Sequence, residues 1–132
     1  MSNTSKNALL LVAHGSRRQA SNDEVSALAN LLSSQGVYAF CESAFLELAK
    51  PSIGEGFEAL VAQGATHIDV VPYFLAAGRH VVEDIPEEVA ECQKAHPHIQ
   101  VRLAPHLAEL QTKMAELVFN LAEQAKPIGP EA

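Results

Sequence analysis

The sequence predicts an α/β fold: a four-stranded parallel sheet between helices, in three layers. Short apolar runs alternate with amphipathic stretches of helical period, giving the order β-α-β-α-β-α-β-α. That alternation requires parallel strands joined by right-handed crossovers, with helices on both faces. The runs are almost continuously apolar, as strands covered on two sides should be.

The first run is Ala8 to Ala13, inside "LLLVAHGSRR". A helix over Ser21 to Gln35 follows, with Val25, Leu28, Ala29 and Leu32 on one stripe. Ser21 and Glu24 stand at capping-box spacing, and Gly36 ends the helix. The second run is Val37 to Leu46. The next helix, Ser52 to Gln63, repeats the capping-box spacing at Ser52 and Glu55 and buries Ile53, Phe57, Leu60 and Val61. Gly54 to Gly56, "GEG", reads as close packing inside this helix, and Gly64 ends it. The third run is Ile68 to Pro72. Asp84 caps a helix through Ala95, with Pro86 tolerated in its first turn. A fourth run, Ile99 to Leu103, leads to a last helix from Leu107 to Gln124, whose stripe is Leu110, Met114, Leu117, Val118 and Leu121.

With 132 residues, 48% hydrophobic and 19% charged, the chain reads as a soluble globular domain over residues 1–126, followed by a flexible tail over 127–132. No apolar run approaches the ~20 residues that span a bilayer, so no membrane partner is expected. "MSNTSKN" lacks a signal-peptide pattern, and Cys41 and Cys92 have no C-x-x-C spacing. A reduced, cytoplasmic setting with free thiols follows. A formal charge of -7 with scattered Lys and Arg argues against nucleic acid, and means that an anionic ligand needs local cations.

In a parallel sheet the carboxyl ends of the strands share one rim, where ligands bind. His14, Ser16, Arg17 and Arg18 follow the first strand; Glu42, Ser43 and Glu47 the second; Arg79, His80, Glu83 and Asp84 the third; His106 the fourth. His67, His96 and His98 fall on the opposite rim, where "HPH" reads as a helix-to-strand loop rather than a metal clamp. Two imidazoles and a carboxylate, His14, His80 and Glu47, suit a borderline divalent metal with open coordination positions. A structural zinc site is normally closed by four ligands, often cysteines, and Cys41 sits within a strand. The set therefore points to exchangeable metal binding, with His106 at most supporting it. No G-x-G-x-x-G, P-loop or G-x-S-x-G element occurs. A phosphohistidine-type phosphatase wants an arginine before the histidine, where this chain has Ala13.

"LLLVAHGSR", "ESAFLELAKPSI" and "VVPYFLAAGRHVVEDIP", taken together, resemble the small sirohydrochlorin chelatases, the CbiX/SirB-type class II chelatases. The resemblance implies a chelatase-like α/β fold and an enzyme, a lyase. Its reaction is insertion of a divalent metal into sirohydrochlorin on the way to cobalamin or siroheme. Cobalt(II) or iron(II) would be the substrate metal, with nickel(II) or zinc(II) also compatible, and no further cofactor is implied. The family's metal-site histidines fall on His14 and His80 and its acidic residue on Glu47. The short form implies a homodimer. Arg17, Arg18 and Arg79, with Ser16, are the expected contacts to the carboxylate-rich tetrapyrrole, and Lys50 is a weaker one. A histidine, with an ordinary pKa near ~6.5, suits removal of the pyrrole protons, and the sequence does not separate base from ligand. A non-catalytic metal or tetrapyrrole carrier on the same fold is the competing expectation.

Overall fold

A computed structural model of the chain describes residues 6–76, 78–79 and 83–129. Its elements are β1 (Asn7–Ala13), α1 (Gln19–Ser34), β2 (Phe40–Phe45), α2 (Ile53–Ala62), β3 (His67–Pro72), α3 (Ile85–Ala95), β4 (Gln100–Leu103), a 3-10 turn (Leu107–Glu109) and α4 (Gln111–Glu123). The strands form one parallel sheet in the order β2-β1-β3-β4, as expected of an α/β chain of this pattern. Among the described residues no helix is long and apolar enough to cross a membrane.

β1 is central and buried nearly throughout, and its pleat divides the core. Ala8, Leu10 and Val12 face one side and pack with Ile53, Phe57 and Leu60 of α2, Ile68 and Val70 of β3, and Ile85 and Val89 of α3. Leu9 and Leu11 face the other side and meet Ala29, with Val25, Leu28 and Leu32 of α1 packed around them. Each fully buried Leu, Ile or Phe in these layers contributes about 1.5–3 kcal/mol. Gly56 lies against the sheet, where a Cβ would crowd Leu10 and Ala44, whereas a Cβ on Gly54 would meet nothing, so only the second glycine of "GEG" marks close packing.

The capping box of α2 forms as expected. Glu55 N–H donates to the Ser52 hydroxyl at 3.1 Å, and Ser52 N–H donates to the Glu55 carboxylate at 2.9 Å. Those contacts, with Lys50 beside it, hold the Glu55 carboxyl below its ordinary range. The corresponding box in α1 does not form. That helix begins two residues earlier, after Arg18, with no side-chain cap, and Ser21 N–H donates to the Arg18 carbonyl as part of its first turn. Asp84 stands at the N-cap of α3 but has helical backbone angles and makes no capping hydrogen bond.

The larger departure concerns α4. The stripe expected to join the core is unburied, and no residue of α4 is buried. The chain takes a 3-10 turn first, and α4 leads away from the sheet instead of folding back over it. Among the described residues α1 is the helix that packs on its side of the sheet, next to β1 and β2. β3 alternates accordingly: Ile68, Val70 and Pro72 are buried, whereas His67, Asp69 and Val71 are half-buried on the open side.

Candidate metal centre

β1 and β2 run in register to their carboxyl ends, and their pairing continues beyond the strands. Leu46 N–H donates to the Ala13 carbonyl at 2.9 Å, and Glu47 N–H to the His14 carbonyl at 3.0 Å. This extension brings two residues 33 apart in sequence side by side. His14 Nε2 lies 2.7 Å from Glu47 Oε2. Both side chains remain open to solvent, 45% and 49% exposed.

Three local features hold the pair. Gly15 takes φ +100°, and a Cβ there would overlap the Glu47 carbonyl, so only glycine lets the two loops meet. Leu48 also has a positive φ, 67°, an unusual state for a branched residue and a strained one. Asn22, buried in the first turns of α1, accepts Ser16 N–H at 2.9 Å and donates its own amide to the Ser16 carbonyl at 2.8 Å. That two-point clamp fixes the loop carrying His14. The sequence reading missed Asn22; its only trace is an amide eight residues after the rim histidine, at the start of an otherwise apolar stripe.

Ser16, Arg17 and Arg18 follow His14 on this rim. The Ser16 hydroxyl accepts Arg18 N–H at 3.0 Å, so it organises the approach to α1 as well as facing the rim. Arg17, Arg18 and Arg79 are exposed. Phe74, just beyond β3, sets its ring 6.3 Å from the imidazole of His14, so the end of β3 adjoins the same spot. His80, the second expected imidazole, lies outside the described residues. Lys50 is drawn to Glu55 at 3.2 Å. A cavity of about 410 Å³ opens beside Glu47, Leu48 and Lys50.

Two rim placements differ from expectation. Glu42 and Ser43 belong to β2 itself rather than to the loop after it. Glu42 accepts the side-chain amide of Gln63 at 3.0 Å, and Ser43 is buried with its hydroxyl 3.0 Å from that of Ser26. His106 is buried at the entrance to the 3-10 turn.

Among the described residues no three His, Cys, Asp or Glu side chains gather around one point. His14 and Glu47 thus bring two candidate donor atoms together. A metal bound at ~2.1 Å to each needs the two atoms about 3 Å apart, a small relaxation from the observed contact. A metal ion bound there would take the same two atoms that now face each other.

A larger groove of about 450 Å³ lies elsewhere, on the open face of β3 and β4. There Arg102 grips Asp69 with two bonds of 2.7 and 2.8 Å, and the Tyr38 hydroxyl donates to the same carboxylate at 2.5 Å. Arg102, then Tyr38, hold the Asp69 carboxyl below its ordinary range, and the bond to Asp69 pushes the Tyr38 phenol up. The three groups satisfy one another, which makes this a structural cluster and not a reactive centre.

The family model described as CbiX matches residues 8–125. The sirohydrochlorin ferrochelatase of Bacillus subtilis (strain 168) is 41% identical over 96 residues, covering 73% of this chain and 37% of that protein. The chain therefore spans well under half the length of that relative. Among solved structures, the sirohydrochlorin chelatase SirB from Bacillus subtilis subspecies spizizenii, in complex with cobalt, superimposes with a TM-score of 0.72 at 40% identity, over 76% of this chain and 43% of that one. A putative cobalamin biosynthesis CbiX protein from Marinobacter aquaeolei VT8 superimposes with a TM-score of 0.71 at 28% identity, over 90% of this chain and 99% of that one. With the superposition on these chelatase structures and a family match over residues 8–125 in agreement, this chain belongs to the CbiX family.

Proposed function

We propose that this chain is a sirohydrochlorin chelatase, a single chelatase-like domain over residues 1–126 that works as a homodimer. It inserts cobalt(II) or iron(II), as substrate, into the tetrapyrrole. The observation that carries this reading is the 2.7 Å contact between His14 Nε2 and Glu47 Oε2 at the carboxyl edge of a parallel sheet. The names of the similar proteins, a sirohydrochlorin ferrochelatase and a cobalt-bound SirB, supply the substrate class.

In this reading the metal arrives at His14 and Glu47, with His80 as the third donor. Open coordination positions then face the macrocycle. Insertion exchanges one dication for two pyrrole protons, which pass by way of a rim histidine acting as base to solvent water. Arg17, Arg18 and Arg79, with Ser16, hold the carboxylate rim of the substrate against the negative field of the protein. No electron transfer enters the reaction, since the metal keeps its charge.

The test follows the absorbance change of sirohydrochlorin on adding cobalt(II). His14→Ala and His80→Ala should each slow insertion by at least ~100-fold while circular dichroism is unchanged. Full activity in both variants would refute the reading. An insertion rate equal to that without protein would instead establish the carrier.

A further inference from the structure

Leu48 is out of place by every local measure. The loop that holds it is closed at its base, where Phe45 N–H donates to the Pro51 carbonyl at 2.8 Å. Within that loop Leu48 takes φ +67°, and its side chain is 52% exposed. Left-handed backbone favours glycine or asparagine, and a solvated loop position favours a polar side chain. A leucine there costs stability twice, through its backbone and through its exposure. Backbone strain of this kind is found at ligand contacts, where the surrounding structure holds it in place.

The position of Leu48 says which ligand. It follows Glu47 directly, so the two Cα atoms are about 3.8 Å apart. It lines the cavity of about 410 Å³ that opens beside Glu47. Two more exposed apolar side chains, Tyr73 and Leu75, follow the end of β3 on the same rim. Tyr73 N–H donates to the Val12 carbonyl at 2.7 Å, which keeps that segment beside β1. Phe74, between them, has its ring 6.3 Å from the imidazole of His14. Apolar side chains from two loops therefore stand close to the His14–Glu47 pair, and Arg17 and Arg18 supply charge from the approach to α1.

We propose that Leu48 is a substrate-binding residue whose side chain rests against the face of the tetrapyrrole ring, while its neighbour Glu47 presents the ion to the ring's centre. The inference rests on the functional reading above and assigns a residue to it. A metal enters a macrocycle through one face, so the ring lies flat over the donors that deliver the ion. That face is apolar carbon, and the carboxylates stand at the ring's edge. A side chain one residue away from a donor meets the face, and a leucine there exchanges contact with water for contact with the ring. The left-handed turn keeps that leucine at the rim and out of the core. Its contact differs in kind from those of the arginines, because salt screens charge and leaves apolar burial intact.

The test titrates sirohydrochlorin into the metal-free full chain and follows its fluorescence. Leu48→Asn, which suits left-handed backbone, should weaken binding by about tenfold, the loss expected when most of one leucine's burial is removed. The same factor should persist in high salt. This variant should unfold at a temperature no lower than the unaltered chain, so the loss is not one of folding. Leu48→Met, which restores apolar length, should recover most of the affinity. Cobalt(II) affinity measured without tetrapyrrole should be unchanged in Leu48→Asn, and in the insertion assay KM should carry the loss while kcat does not. Undiminished binding by Leu48→Asn, a Leu48→Met variant as weak as Leu48→Asn, or an equal loss of cobalt(II) affinity overturns the proposal; the last would show that Leu48 only positions Glu47. Binding is read without insertion, so a chain that binds sirohydrochlorin and does not insert metal refutes the functional reading while Leu48 is still judged by its own variants.

Discussion

Two histidine–glutamate pairs sit at opposite ends of this sheet with the same 2.7 Å separation: His14 with Glu47, and His96 with Glu58. They differ in their surroundings. His14 lies beyond the carboxyl end of the central strand, in a loop held by Asn22, and is nearly half exposed. His96 closes the carboxyl end of α3, is 19% exposed, and rests with its ring 5.9 Å from buried Phe57. A contact distance alone does not make a metal site. Access, and backbone geometry that keeps both donors on an open rim, separates a pair that can receive an ion from one that finishes a helix.

Four substitutions divide the two pairs. Glu47→Gln should lower cobalt insertion by ~10–100-fold, the usual effect of removing a group that orients a ligating histidine. Glu58→Gln should leave insertion within about twofold and cost at most ~1 kcal/mol of stability by urea unfolding, as an exposed ion pair does. Equal losses in both variants would erase the distinction. Gly15→Ala should lower insertion by ~10-fold or more, because the added methyl displaces Glu47 and a misplacement of 1 Å is enough for such losses. Gly54→Ala, where a Cβ meets nothing, should keep full insertion and gain ~0.4–1 kcal/mol.

The smallest expected effect concerns neither histidine. Asp69 is held below its ordinary carboxylate range, so the folded protein binds its proton less readily than the unfolded chain. Its contribution is present above the unfolded value, ~3.9, and is lost as pH falls through the folded one. Arg102→Ala should therefore be less stable than the unaltered protein near neutral pH, with the gap closing in urea titrations as pH falls below the ordinary carboxylate range and Asp69 takes up its proton. Insertion at neutral pH should not change.

Much of this was legible in the residues. The apolar runs placed all four strands, and Ser52 with Glu55 placed the start of α2. The same spacing at Ser21 and Glu24 misled, because Asn22 turns inward to bind Ser16 and the helix is already under way. Glu42 and Ser43 lie inside both the Val37 to Leu46 run and β2, so a polar residue within a mostly apolar run does not mark the strand's carboxyl end. The alternation His67-Ile68-Asp69-Val70 and Gln100-Val101-Arg102 already carried the sign of a half-open sheet, with polar residues on one side of the pleat.

The sequence by itself determined the strand and helix order, the parallel sheet, and the polar residues that follow the first strand, because periodicity and chain order are local properties. Tertiary structure alone decided that His14 and Glu47 touch, that His96 pairs with Glu58, and that no residue of α4 is buried. Those outcomes depend on the register of parallel neighbours, on a glycine allowing two loops to meet, and on which surface a helix finds to bury against. Such contacts join residues distant in the chain, and no local pattern encodes them.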